Sequence, residues 1–152
     1  MTSYSLLING APTKPLWPSR GIRQGDPLSP FLFILMMEGL NRSIKIATAV
    51  GELKGIKPFE YCPTSTHQHF VDDTLLHGIA TVKEEKTYKR ILEDFGEASG
   101  AKINHSKSMI YFFDTNLAIQ RNLANILGFE RKTLPTKYLG IPLTDRACNM
   151  AT

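Results

Sequence analysis

Cysteine is scarce in this chain of 152 residues: there are two, Cys62 and Cys148. They make no CxxC pair, which excludes a disulfide-stapled scaffold and fits a reducing compartment. Long apolar runs are absent as well. Phe31 to Met37 is apolar but far short of the ~20 residues of a membrane span, so it reads as a buried helix segment. Acids are missing from the first 25 residues, which carry Lys14, Arg20 and Arg23. That bias is shared with organelle transit peptides, but Trp17-Pro18 and the following Gly25-Asp26-Pro27 read as a structured loop. No repeat, linker or low-complexity tract is present.

What is there fits one folded domain spanning residues 1–152. Hydrophobic residues make up 42% and charged residues 21%, which separates the chain from disordered sequences. The net charge of +4 fits a partner rich in phosphate.

Periodicity predicts the elements. Tyr4 to Asn9 alternates like a strand, and Gly10 to Arg20, with three prolines, reads as a loop. Ser29-Pro30 predicts a helix start running to about Val50, with Gly51 as the stop. Its first two turns are apolar on every face, which predicts deep burial. Phe59 to Thr66 is irregular. His69 to Ile79 then predicts two short strands around Asp72-Asp73. Thr81 and Glu84 form a capping-box pattern, and Tyr88, Ile91, Leu92 and Phe95 follow at helical spacing until Gly100. Ser108 to Phe113 predicts a strand. Ile119, Leu123, Ile126 and Leu127 predict a helix ending at Gly128, and Tyr138 to Leu143 a short strand or turn. This order predicts an α+β fold with helices on one face of a sheet.

Two features carry chemistry. Phe70-Val71-Asp72-Asp73 places two carboxylates in a tight turn between apolar strands. Such a pair is either solvated or compensated by a hard divalent cation such as magnesium or manganese. Upstream, Arg20-Gly21-Ile22-Arg23-Gln24-Gly25-Asp26-Pro27-Leu28-Ser29-Pro30 combines glycines that permit close backbone approach with arginines that can meet phosphate. Read alone, it is equally an ordinary loop before a helix. Cys62, His67, His69 and His77 cluster in sequence, but their spacing matches no standard zinc site. A metal-dependent hydrolase built on the Asp pair would need further ligands and a positioned base.

Taken together, four motifs resemble reverse transcriptases, most nearly those of plant non-LTR, LINE-type retrotransposons. They are Gly21 to Phe33, the Phe70–Asp73 turn, Ser99-Gly100-Ala101-Lys102-Ile103-Asn104-His105-Ser106-Lys107-Ser108, and Tyr138-Leu139-Gly140-Ile141-Pro142-Leu143. The resemblance covers about Ser3 to Leu143. It implies part of a polymerase palm, a ferredoxin-like antiparallel sheet with helices on one face. It implies that Asp72 and Asp73 are catalytic and bind Mg2+ or Mn2+. It further implies that Arg23, Gln24, Gly25 and Lys107 contact template or nucleotide, and that Tyr138, Leu139 and Gly140 grip the primer. The expected partners are an RNA template and a DNA primer, with no membrane.

The sequence departs from the family pattern in several places. Val71 stands where alanine is usual, and His105 where an apolar residue is usual. The family's other metal-binding aspartate, on a strand before Tyr4, has no counterpart here, and neither do the fingers and most of the thumb. The resemblance therefore leads us to expect a palm that does not polymerise alone unless a complementing chain supplies that strand. Retention of nucleic-acid binding alone, or a retrotransposon relic without molecular function, are the alternatives.

Overall fold

The computed structural model describes residues 3–19, 21–57 and 60–144. It is an α+β fold of three helices and eight short strands, among the described residues. The strands pair as four two-stranded ladders: three antiparallel hairpins and one parallel pair.

The N-terminal segment is a hairpin rather than a strand and a loop. β1 (Leu7–Ile8) pairs with β2 (Ala11–Pro12), and Tyr4 bridges Leu16 further out. Asn9 and Gly10 both take positive φ, 49° and 83°, the two-residue turn that suits the right-handed twist of paired strands. The Asn-Gly pair carried this signal, and the prolines obscured it. Arg20 lies outside the described residues.

α1 (Ser29–Ala49) starts and stops near where the sequence predicts, but Ser29 is not its cap. Leu28 holds the cap position, and Asp26 Oδ1 accepts from its amide at 2.9 Å. Ser29 Oγ instead donates to the Arg23 carbonyl at 2.5 Å, which ties the preceding loop to the helix.

Burial of α1 differs from the expectation. Its second half is buried: Leu40, Ile44 and Ala47 pack with Leu53 and with Tyr88 and Ile91 of α2 (Val82–Ser99). Met37, Leu76, Leu92 and Phe95 complete this core. Its first half is open, with Phe31 71% and Leu35 71% exposed. An all-round apolar segment reports that every face can be covered, not that the same chain covers them. Here no described element packs over that end.

The hairpin of β3 (His67–Phe70) and β4 (Asp73–Leu76) matches the prediction around Asp72-Asp73 but begins two residues before the predicted His69. The Thr81 Oγ1 accepts from the Glu84 amide at 3.3 Å and starts α2 as the capping pattern predicts. The predicted strand at Ser108–Phe113 shrinks to β5 (Met109–Ile110), which runs parallel to β6 (Glu130–Arg131). Between them, α3 (Leu117–Leu127) is capped by Asn116 and buries Leu123 and Ala124. β7 (Thr136–Tyr138) and β8 (Ile141–Leu143) form the last hairpin.

Candidate active site

The β3–β4 hairpin places its two carboxylates at the tip. Phe70 pairs with Asp73, so Val71 and Asp72 make the two-residue turn. Asp72 and Asp73 are both exposed, and among the described residues neither has an ion-pair partner. Val71 has φ +52°. A β-branched side chain is costly in this left-handed region, by about 1–3 kcal/mol, and such strain tends to sit at functional turns.

The base of this hairpin is held by α2, and this is where reading the motifs alone fell short. Tyr88, 5% exposed, sets its hydroxyl between the carbonyls of Thr66 (3.1 Å) and His77 (2.9 Å), one on each side of the hairpin. His77 N donates to the same Thr66 carbonyl at 2.9 Å. Burial, then the charges of Glu84 and Glu85, push the Tyr88 hydroxyl up, so it stays a donor.

Glu84, 4% exposed, accepts from the amides of Ile79 at 3.0 Å and Lys54 at 3.3 Å. One carboxylate thus joins α2, the loop after β4 and the loop after α1. A Cβ on Gly78 would collide with it. The capping pattern revealed Glu84, but not that its carboxylate reaches beyond its own helix.

The histidines serve structure. His67 Nε2 meets Asn41 Oδ1 at 2.9 Å and so links β3 to α1, while its Nδ1 meets Thr66 Oγ1 at 2.9 Å. His77 Nε2 meets Ser65 Oγ at 2.8 Å, and His69 Nδ1 meets Thr74 Oγ1 at 3.0 Å. Burial lowers the pKa of all three, helped at His67 by the charges of His69, His77 and Lys45. Among the described residues no group of three or more His, Cys, Asp or Glu is arranged to hold a metal ion.

The turn at Tyr138–Gly140 closes the last hairpin. Tyr138 pairs with Ile141, and Leu139 and Gly140 take φ of 51° and 82° between them. Burial, then the charge of Asp73, raises the Tyr138 pKa, and its hydroxyl is buried with no hydrogen-bond partner among the described residues.

The other predicted contacts lie apart from the hairpin. Arg23 to Asp26 is a tight turn closed by the Asp26 amide on the Arg23 carbonyl at 3.4 Å, with Gly25 at φ +84° where that turn needs it. Gln24 stands exposed at its tip, and the Arg23 guanidinium lies 5.9 Å from the centre of the Tyr4 ring. Lys107 is exposed, after a turn in which Asn104 accepts from Ser106 and Lys107. No hydrogen bond or ion pair among the described residues joins either segment to Asp72 or Asp73.

As donors, two hard carboxylate oxygens on an exposed turn suit magnesium or manganese, but two carboxylates alone are a thin shell for an ion that dehydrates reluctantly.

Over 68 residues the chain is 50% identical to an uncharacterized mitochondrial protein of Arabidopsis thaliana, covering 45% of this chain and 56% of the relative. The chain thus spans little more than half the length of the curated relative it matches. Residues 1–143 match the family described as reverse transcriptase (RNA-dependent DNA polymerase). With the match running through the loop before α1, the Asp72-Asp73 hairpin and the Tyr138 turn, this chain belongs to the reverse transcriptase family.

Proposed function

We propose that this chain is the palm portion of an RNA-directed DNA polymerase of the LINE type, and that it acts on a primed RNA template. The observation that carries the reading is the strained, exposed Val71-Asp72-Asp73 tip, clamped at its base by Tyr88 and Glu84. Asp72 is the metal ligand, with Asp73 beside it. A bound divalent cation supplies charge stabilisation for the attacking and leaving oxygens of phosphoryl transfer. Arg23, Gln24, Gly25 and Lys107 serve template and nucleotide, and Tyr138, Leu139 and Gly140 the primer end.

Two carboxylates on one turn do not clamp two ions, so catalysis needs a further carboxylate from outside the described residues. We infer that it comes from a complementing polypeptide segment and that these residues by themselves do not polymerise. The test is primer extension on an RNA template with magnesium or manganese, with Asp72→Asn as control. Extension abolished by the substitution would establish the chemistry and refute the need for a complementing segment. No extension from folded protein, with extension restored by adding a reverse transcriptase fragment bearing the other aspartate, is the expected result. Failure of restoration would refute the polymerase reading.

The basic balance favours nucleic-acid backbone binding as the second reading. It predicts retained affinity in Asp72→Asn and a steep loss of affinity with salt.

A further inference from the structure

A cleft of about 390 Å³ opens to solvent between the last turns of α1 and the segment that leads into β3. Asp73 pairs with Phe70, and His67 stands three residues before Phe70, so strand alternation puts His67 and Asp73 on opposite faces of the hairpin. Lys45 and Thr48 of α1 line the cleft, with Thr64, Ser65, Thr66 and His67 from the chain entering β3. That is one ammonium, four hydroxyls and one imidazole, with no carboxylate among the described lining residues.

Lys45 is exposed and has no ion-pair partner among the described residues. Its charge reaches across the cleft: after burial and the charges of His69 and His77, it helps to lower the His67 pKa. The end of α1 does not present free carbonyls beside it. Those of Ile46 and Thr48 accept from the amides of Val50 and Gly51 at 3.0 Å, and that of Ala47 from Glu52 at 2.8 Å. The bonds of His67 show where a proton would go. Asn41 Nδ2 donates to Glu38 Oε2 at 2.7 Å, so its Oδ1 accepts from His67 Nε2 at 2.9 Å. The other ring nitrogen, Nδ1, lies 2.9 Å from Thr66 Oγ1. Once protonated, Nδ1 donates to Thr66 Oγ1 and frees the Thr66 hydroxyl proton for an anion.

We propose that this cleft binds a phosphate group, held by the Lys45 ammonium and the Thr64 and Thr66 hydroxyls. His67 takes up a proton as the anion binds. The phosphate belongs either to a nucleic-acid strand or to a small phosphate compound, and its chemistry at the cleft is the same. The proposal is independent of the polymerase reading, because it uses neither Asp72 nor Asp73 and lies on the other face of their hairpin.

NMR on the full chain tests it. The His67 ring signals are followed against pH in inorganic phosphate, with a single-stranded oligonucleotide lacking terminal phosphates, and in chloride at matched ionic strength. Phosphate in either form should raise the pH at which His67 titrates beyond its value in chloride, since a bound anion favours the protonated ring. Lys45→Met should weaken binding about five- to tenfold, one charge-assisted contact discounted for its exposure. Thr64→Val should weaken it about two- to threefold. Lys86→Met, at an exposed lysine outside the cleft, should leave the affinity unchanged. A response to the oligonucleotide assigns the site to a strand's backbone, and a response to inorganic phosphate alone assigns it to a small phosphate ligand. Equal titration of His67 in all three solutions would overturn the proposal, and so would a response that Lys45→Met leaves intact. Lys45 and Thr64 are both exposed, so both variants should melt like the wild type, and each decides if the other does not.

Discussion

Glu84→Gln is the most informative single change, because one carboxylate holds three segments. Its two oxygens accept from Ile79 N at 3.0 Å and Lys54 N at 3.3 Å in a site only 4% exposed. No ion pair compensates it among the described residues. The main-chain donors do that, with the start of α2. Glutamine keeps the shape but only one acceptor, and turns an NH2 group toward the other donor. The loss is one charge-assisted bond, about 1.5–3 kcal/mol. The favourable carboxylate near the helix start adds about 0.3–1 kcal/mol. Relief of repulsion with Glu85 offsets part of this, leaving about 2–3 kcal/mol.

For a chain of this length the unfolding entropy is about 0.3 kcal/mol per kelvin, so Tm should fall by about 6–9 °C. The assay is a thermal melt by circular dichroism at pH 7, beside Glu93→Gln, an exposed control on the same helix. A second readout comes from Glu85, whose pKa is raised to about 7 by burial and then by Glu84. In the Glu84→Gln variant it should move back toward 4.5, as carboxyl carbon shifts would report. A fall in Tm under about 2 °C would refute the view that this carboxylate joins the three segments.

Four further outcomes follow from the same geometry. Tyr88→Phe removes the hydroxyl between the Thr66 and His77 carbonyls and should cost about 1–2 kcal/mol. Amide exchange should quicken first in the β3–β4 hairpin, and a uniform change across the chain would argue against a local clamp. Glu85 has a folded-state pKa above its unfolded one, so its contribution is present below about 4.5 and lost as pH rises through 7. Glu85→Gln should therefore stabilise by about 1–2 kcal/mol at pH 8 and by nothing at pH 4, and a pH-independent difference would contradict this. His67, His69 and His77 have the opposite sign: lowered pKa values give stability that is present above 6.5 and lost as pH falls. Val71→Gly should be neutral or stabilising by up to about 1 kcal/mol, because relieved strain outweighs the entropy of glycine. A fall in the urea midpoint would mean that the turn is not strained.

Local signals in the sequence were read well where the chain itself supplies the partner. Thr81 caps because Glu84 N lies three residues on, and α3 ends at Gly128 because a left-handed residue suits a helix end. The Asp72-Asp73 turn was legible because its flanking strands pair with each other. Reading failed where a partner is distant or missing. Ser29 looks like a cap, but its hydroxyl turns back to the Arg23 carbonyl and no side chain caps the helix. Tyr88 looks like one more apolar position of α2, and nothing in its spacing says that its hydroxyl closes a hairpin eleven residues away. The first half of α1 is the clearest case. Its pattern, apolar on every face, states how much surface must be covered, and the described residues leave Leu28, Phe31, Leu32 and Leu35 uncovered. A hydrophobic pattern is thus a requirement placed on the assembly, not on one chain. The exposed first half of α1 is the plainest form of that requirement.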